Sequence, residues 1–207
     1  MPMLARETVR AEVEALLRAG ARQRPGPTGP EALTDGLAAA VEGRRSRRDY
    51  RDRPVPPELL HRVVGSAVGL CGEHPEPGDA LDLYLAVREG DAPLRISEYR
   101  SGAVLGPARD RAEAARALAR DYARAPVLVL IADTPGPGAA EQYGQRLVRA
   151  GALGYACWLA GRAEGLDGCV FGRSSSGFAR LLRSTGRGSR HLFTVALGYA
   201  PATESGG

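Results

Sequence analysis

The feature of this chain that most constrains its fold is a continuous apolar segment, Ala125–Ala132, with the sequence APVLVLIA. Such a run has no polar side to turn toward water, so it predicts a strand in a buried, central position of a sheet. Residues 139–164 follow with the length and composition of one long helix, and Gly165 marks its end. A buried strand and a long helix both need further elements to cover them.

The other periodic segments of the chain supply those elements. Helices are expected at residues 30–42, 57–70, 109–122 and 175–183. Strands are expected at residues 81–88, 166–171 and 191–197, with a short hairpin at 95–105 that turns at Ser101-Gly102. The combination predicts an α+β fold in which helices flank one central mixed sheet.

The domain organisation follows from length and from one linker. The chain has 207 residues, which fits a single domain with a full core. An amphipathic helix at residues 6–19 precedes a stretch rich in proline and glycine at residues 23–30. We therefore predict a helical arm and linker at 1–30, one domain at 31–200 and a flexible tail at 201–207.

The charge of the chain comes from arginine alone. All 28 basic residues are arginine, the chain has no lysine, and its pI is about 9.2. Without lysine, the chain can supply neither a Schiff base nor a lysine general base. The arginines are spread along the chain with few aromatic residues beside them, so we expect no nucleic-acid partner.

Two further classes are not expected from the sequence. No apolar run approaches the roughly 20 residues of a membrane-spanning helix, and Met1–Arg10 lacks the apolar core of a signal peptide. A cytoplasmic protein without a membrane partner is the resulting expectation.

The spacing of the cysteines and histidines does not indicate a metal site. Cys71, Cys157 and Cys169 show no C-x-x-C spacing, and no H-x-x-x-H pair or acid cluster is present. Cys157 and Cys169 lie in apolar segments, so we predict buried free thiols there.

The residue pattern with the clearest chemistry is the cluster G-R-R-S-R-R-D-Y at residues 43–50. Guanidinium groups bind phosphate oxygens in pairs, and a serine hydroxyl adds another donor. The cluster therefore fits an anion site, although a basic run of this length is also common on a solvated surface.

The sequence around the cluster resembles that of the nitroreductase family. The pattern R-R-S-x-R-x-Y, followed by D-R-P-V-P-P-E-L-L, is similar to the N-terminal signature of FMN-dependent nitroreductases. Residues 151–172 resemble the central dimer helix of that family and the strand after it, and residues 193–200 resemble its closing strand. The resemblance covers residues 38–200.

This resemblance implies a nitroreductase-like fold and a homodimer with FMN bound at the subunit interface. In the family, the serine and the arginines hold the flavin phosphate and ribityl chain, and backbone groups at the end of the strand lie against the isoalloxazine ring. The positions that match the phosphate and ribityl contacts are Arg44, Arg45, Ser46 and Arg48, while Arg47 falls at a variable position. The positions that match the ring contacts are Val170, Phe171, Gly172 and Arg173.

Two segments resemble the SagB-type branch, whose members oxidise peptide thiazolines and oxazolines. They are E-Y-R-S-G-A-V-L-G at residues 98–106 and E-Q-Y-G-Q-R at residues 141–146. The azoline dehydrogenases carry Lys-Tyr where this chain has Gln142-Tyr143. Since a neutral glutamine cannot act as a general base, Tyr143 is left as the candidate for proton transfer, with a packing role as the alternative.

The sequence thus supports an FMN-dependent oxidoreductase, with a SagB-type dehydrogenase of peptide or natural-product modification as the first hypothesis. One alternative is a nitroreductase-like NAD(P)H oxidoreductase. Another is a flavin-poor, non-catalytic subunit of a biosynthetic complex, because the segment at residues 74–84 lacks the serine that SagB-type proteins have there.

Overall fold

The computed structural model describes residues 45–71, 81–90, 92–134 and 139–201, with the backbone alone at 139–142. The predicted arm, the helix at 30–42, most of the segment 74–84, the side chain of Gln142, and Arg44 lie outside the described residues, as does nearly all of the predicted tail.

Four helices and five strands make up the described part. The helices are α1 (Pro57–Cys71), α2 (Ala108–Asp121), α3 (Ala139–Ala163) and α4 (Ser176–Ser184). The strands are β1 (Asp82–Val87), β2 (Arg95–Glu98), β3 (Val127–Asp133), β4 (Asp167–Phe171) and β5 (Arg190–Gly198). Every one of these elements was predicted from the sequence, and apart from the hairpin at 95–105 each boundary lies within about two residues of the predicted one. Of that hairpin, β2 is a named strand, and the return segment forms only an isolated bridge at Val104.

The five strands form one sheet in the order β2-β1-β3-β5-β4. The apolar segment therefore occupies the central strand, as predicted, and all seven residues of β3 are buried. All neighbouring strands in this sheet pair antiparallel, which corrects the expectation of a mixed sheet. Among the described residues, parallel pairing occurs at the isolated bridge between Ser46 and Gly168.

The sheet is covered on both faces, and β3 shows why. Its side chains alternate, so that Val127, Val129 and Ile131 join one core cluster while Leu128 and Leu130 join the other. The first cluster packs under α1 and α3, and the second packs under α2 and α4. The apolar residues on both faces of β3 are therefore buried, because helices cover each side of the sheet.

The long helix α3 is fixed to the sheet by a buried ion pair and by close packing. Arg146 of α3 pairs with Asp133 at the end of β3, and both side chains are buried.

Cys157 of α3 is fully buried, and desolvation raises the pKa of its thiol to about 12. Cys169 is buried and free as well, so both predicted buried thiols are confirmed.

Across the described ranges, no helix combines the length and the apolar character that crossing a membrane requires.

Candidate functional site

The arginine-serine cluster lies along the edge strand β4. Ser46 forms the parallel bridge to Gly168, and the backbone N–H of Arg47 donates to the carbonyl of Gly168 at 3.0 Å. Further on, the N–H of Arg51 donates to the carbonyl of Tyr199 at 2.9 Å. The cluster is thus held by backbone hydrogen bonds at a defined place on the sheet.

The described arginines of the cluster differ in what they contact. Arg47 forms an ion pair with Asp167 at 3.2 Å, and Asp167 is also paired with Arg162. Arg48 lies over Phe171, with its guanidinium carbon 5.6 Å from the ring centroid. Arg45 is exposed and has no hydrogen bond or ion pair with another described residue. Arg47 is therefore a structural arginine, which agrees with its place at the variable position, while Arg45 and Arg48 remain available to a ligand.

Arg48 and Phe171 open onto a cleft of about 570 Å³, which we call the Arg48–Phe171 cleft. Its lining residues are Arg48, Arg120, Asp121, Tyr122, Ala123, Phe171 and Arg173. Its volume is in the range of small-molecule and cofactor sites. The structure thus brings one residue of the cluster, Arg48, together with two of the predicted ring-contact residues.

Tyr122 forms the wall of the cleft between α2 and the end of β4. Its hydroxyl donates to the carbonyl of Arg173 at 2.6 Å, and its ring centroid lies 5.0 Å from that of Phe171. Arg173 donates in return to the backbone carbonyl of Asp121. Burial raises the pKa of Tyr122, so the phenol is neutral and acts as a hydrogen-bond donor.

Behind this wall lies a buried hydrogen-bond network. The carboxylate of Asp121 accepts from the hydroxyl of Ser175 at 2.8 Å. The N–H of Ser175 donates to Nδ1 of His191 at 3.1 Å, and Nε2 of His191 then donates to the carbonyl of Phe193 at 3.1 Å. Desolvation lowers the pKa of His191 to about 4, so the ring is neutral at physiological pH.

The other predicted ring-contact positions lie at the end of β4. Val170 is partly buried and packs against the first core cluster. Gly172 is exposed, and a Cβ at this position would lie 3.5 Å from Phe193, an ordinary contact. The packing of the chain therefore does not require a glycine there, whereas a ligand lying against the backbone would.

The structure does not bring Tyr143 into this cleft. Tyr143 lies on α3 with 42% of its surface exposed, and it makes no hydrogen bond or ring contact with another described residue. Its neighbours along the helix, Leu147, Val148 and Tyr155, are exposed as well. The predicted catalytic tyrosine thus belongs to an exposed apolar stripe of α3, not to the cleft of its own chain.

Residues 41–199 match the Nitroreductase family. The chain belongs to that family. A nitroreductase-like family protein from Bacillus cereus has a similar fold, with 18% identity, a TM-score of 0.54, and coverage of 83% of this chain and 89% of that chain. An FMN-dependent nitroreductase from Clostridium difficile R20291 is also similar, with 13% identity, a TM-score of 0.52, and coverage of 81% of this chain and 89% of that chain. No curated protein matches the sequence.

One neighbour was solved with a nucleotide. It is the NADPH:FMN oxidoreductase from Vibrio harveyi complexed with NAD+, with 16% identity, a TM-score of 0.53, and coverage of 82% of this chain and 70% of that chain. At these identities the neighbours establish the nitroreductase fold, and the α+β fold class predicted from the sequence is confirmed.

The role of residues 120–123 of this nitroreductase-family chain was not predicted from the sequence, which placed residues 120–122 at the end of a helix and Ala123 just after it. They reach the cleft because α2 ends beside β4, a contact between residues about 50 positions apart. No pattern within the segment R-D-Y-A signals that contact.

Proposed function

We propose that this chain is an FMN-dependent oxidoreductase whose cofactor lies in the Arg48–Phe171 cleft. The observation that carries the proposal is the meeting of Arg48, Phe171 and the exposed Gly172 at the end of β4. A cation, an aromatic surface and a bare stretch of backbone are what a flat, anionic cofactor needs.

The residues present fit FMN. Arg45, Ser46 and Arg48 would hold the phosphate and ribityl chain, joined by Arg44 outside the described residues. The hydroxyl of Ser46 makes no hydrogen bond to another described residue, so it can donate to a ligand. Backbone groups of residues 170–173 would lie against the ring.

When bound, FMN supplies hydride exchange at its N5 atom. Arg48 contributes a fixed positive charge, which stabilises negative charge on a ligand beside it. Phe171 and Tyr122 exclude water from the inner wall, and Tyr122 holds the segment at Arg173 through its hydrogen bond. The chain's own role is therefore binding, orientation and electrostatics.

A homodimer is the second part of this proposal. Three exposed apolar residues of α3 follow one another along the helix: Leu147 lies about one turn after Tyr143, and Tyr155 lies about two turns after Leu147. In chain order their exposed fractions are 42%, 40% and 38%. An apolar stripe of this kind is typical of a face that a partner covers. Tyr143 would then act in proton transfer at a site completed by the second subunit. Sedimentation equilibrium tests this, because a monomer at micromolar concentration contradicts it.

For the reaction, we favour a SagB-type dehydrogenase that transfers hydride from a peptide or natural-product azoline to flavin, on the basis of residues 98–106 and 141–146. The hairpin is present, with β2 followed by a turn and the bridge between Ser97 and Val104. A nitroreductase-like NAD(P)H oxidoreductase is the alternative, and the Vibrio harveyi neighbour solved with NAD+ is consistent with it. A flavin-poor partner subunit is the non-catalytic alternative.

The decisive experiment is an FMN titration of the purified protein, followed by quenching of flavin fluorescence. We expect saturable binding and a yellow protein. A colourless protein that takes up no added FMN contradicts the proposal and favours the non-catalytic subunit. With FMN bound, anaerobic bleaching by an azoline peptide alone supports the dehydrogenase, whereas bleaching by NADPH alone supports the reductase.

A further inference from the structure

A second arginine-lined cavity lies where three chain segments converge. It has a volume of about 530 Å³ and is formed by residues 50–54, by residues 88 and 90, and by residues 124 and 126. We call it the arginine pocket. Its lining residues are Tyr50, Arg51, Asp52, Arg53, Pro54, Arg88, Gly90, Arg124 and Pro126. None of them lines the Arg48–Phe171 cleft.

The charges in this pocket are unbalanced. Four arginines line it, and Asp52 is the one carboxylate among its described lining residues. None of the four arginines forms an ion pair with another described residue. Four guanidinium groups around one cavity repel one another, and an anion placed between them removes that repulsion.

Local contacts position two of the four arginines, Arg53 and Arg88. The guanidinium carbon of Arg53 lies 4.2 Å from the ring centroid of Tyr199. The backbone N–H of Arg88 donates to the carbonyl of Pro126 at 2.8 Å. The Nε atom of Arg88 is buried and has no hydrogen-bond acceptor in the described part of the chain. Because this atom is closed to solvent, a ligand in the cavity would bind Arg88 through its terminal nitrogens.

The floor of the pocket is tightly packed. A Cβ at Gly198 would lie 2.7 Å from the Pro126 ring and 2.7 Å from Tyr50. The two residues therefore press directly onto the backbone of β5, which fixes the segments that carry Arg51, Arg53 and Arg124. Backbone segments held in this way need less reorganisation when a ligand binds.

We propose that the arginine pocket is a second anion site, for a small ligand that carries several negative oxygens. Arginine forks bind phosphate and carboxylate oxygens in pairs, which matches both phosphoryl and polycarboxylate groups. The cavity size suits a small molecule. Apart from Tyr50, its described lining offers no aromatic ring on which a nucleic-acid base could stack.

Isothermal titration calorimetry with pyrophosphate tests the site, at low ionic strength and with FMN at saturation. We expect one additional binding event, and at least tenfold weaker binding in the double variant Arg88→Gln/Arg124→Gln. A parallel titration with citrate separates phosphoryl from carboxylate recognition, and binding of either probe at this pocket supports the site. Arg116→Gln is the matched control, because Arg116 is an exposed arginine of α2 that lines neither cavity.

Several outcomes would overturn this site. They are absence of binding by both probes, unchanged affinity in the double variant, and equal weakening by Arg116→Gln. Loss of pyrophosphate binding when FMN is added would show that both ligands share one site. If the double variant does not fold, as judged by circular dichroism, the single variant Arg124→Gln at an exposed position serves instead, with weaker pyrophosphate binding as the expected result. Failure of FMN to bind leaves this measurement intact, since pyrophosphate can be titrated without FMN.

Discussion

The Arg48–Phe171 cleft and the arginine pocket share two stretches of chain, residues 48–54 and 120–126, yet their arginines are used differently. In the cleft, Arg120 pairs with the carboxylate of Asp121, and Arg173 donates to the carbonyl of the same residue. In the pocket, no arginine has an ion pair among the described residues. Aromatic residues and a buried network support the cleft, whereas prolines and a glycine shape the pocket.

The difference shows that arginine content alone does not identify a ligand site. Arg47, Arg120 and Arg173 each have an acceptor within the chain, so they stabilise the structure around the cleft. Arg48 lies over the Phe171 ring, and neither it nor the arginines of the pocket form an ion pair with another described residue. The arginines without an ion pair among the described residues are therefore the ones that we expect a ligand to use.

The largest effect is expected from Gly168→Ala in β4. A Cβ there would lie 2.5 Å from the carbonyl oxygen of Ala196 and 2.9 Å from Trp158. Because the first of these is backbone, β4 must shift away from β5 and carry the bridge to Ser46 with it. We expect a loss of about 3 kcal/mol in the free energy of unfolding. Urea titration followed by the fluorescence of Trp158, the single tryptophan, measures it.

Gly172→Ala is the matched control, at the residue that follows the other end of β4. Its Cβ would make an ordinary 3.5 Å contact with Phe193, so the stability should change by less than about 0.5 kcal/mol. FMN affinity should nevertheless fall, while pyrophosphate affinity stays the same. Equal destabilisation by the two substitutions would contradict the packing argument.

The next effect concerns pH and the network behind the cleft. In the folded protein the pKa of His191 is about 4, against 6.5 for an unperturbed histidine. Between these values the unfolded chain binds a proton that the folded chain does not. The stabilising contribution of neutral His191 is therefore full above pH 6.5 and is lost as the pH falls to 4. The loss amounts to about 3 kcal/mol.

Comparison with His191→Gln isolates this contribution, because glutamine does not titrate. The variant should be less stable than the unmodified protein at pH 7, and the gap should narrow steadily toward pH 4. Urea titrations at half-unit steps of pH measure the gap. A gap that stays constant over this range would show that His191 is not the titrating group.

How much of this could be predicted from the sequence follows from the range of the interactions. The strand at Ala125–Ala132 and the helix at 139–164 were predicted because their patterns are local. The antiparallel direction of all named strand pairs was not, since strand direction depends on connections that no single segment contains. The cluster at residues 43–50 was visible as a motif, but the partner of Arg47, Asp167, is 120 positions away. The arginine pocket combines residues from three segments, so no pattern in the sequence marks it.

Arg48→Ala should have a moderate effect confined to the cleft. Removing a charged hydrogen-bonding partner costs about 1.5–3 kcal/mol, which weakens FMN binding by roughly 10- to 100-fold. Arg48 is exposed and makes no ion pair with another described residue, so the stability should stay the same. Fluorescence titration with FMN measures the loss of FMN affinity. Calorimetry with pyrophosphate should show that binding at the arginine pocket is unaffected. Unchanged FMN affinity would contradict the assignment of Arg48.

The smallest effect is expected from Arg47→Ala, one residue earlier. The ion pair of Arg47 with Asp167 is partly open to solvent, with 40% of the arginine side chain exposed, so its loss should cost less than about 1 kcal/mol. Asp167 keeps Arg162 as a partner, and the backbone bond from residue 47 to Gly168 survives the substitution. FMN affinity should therefore remain that of the unmodified protein. If Arg47→Ala weakened FMN binding as much as Arg48→Ala does, the distinction between paired and available arginines would fail within the cluster itself.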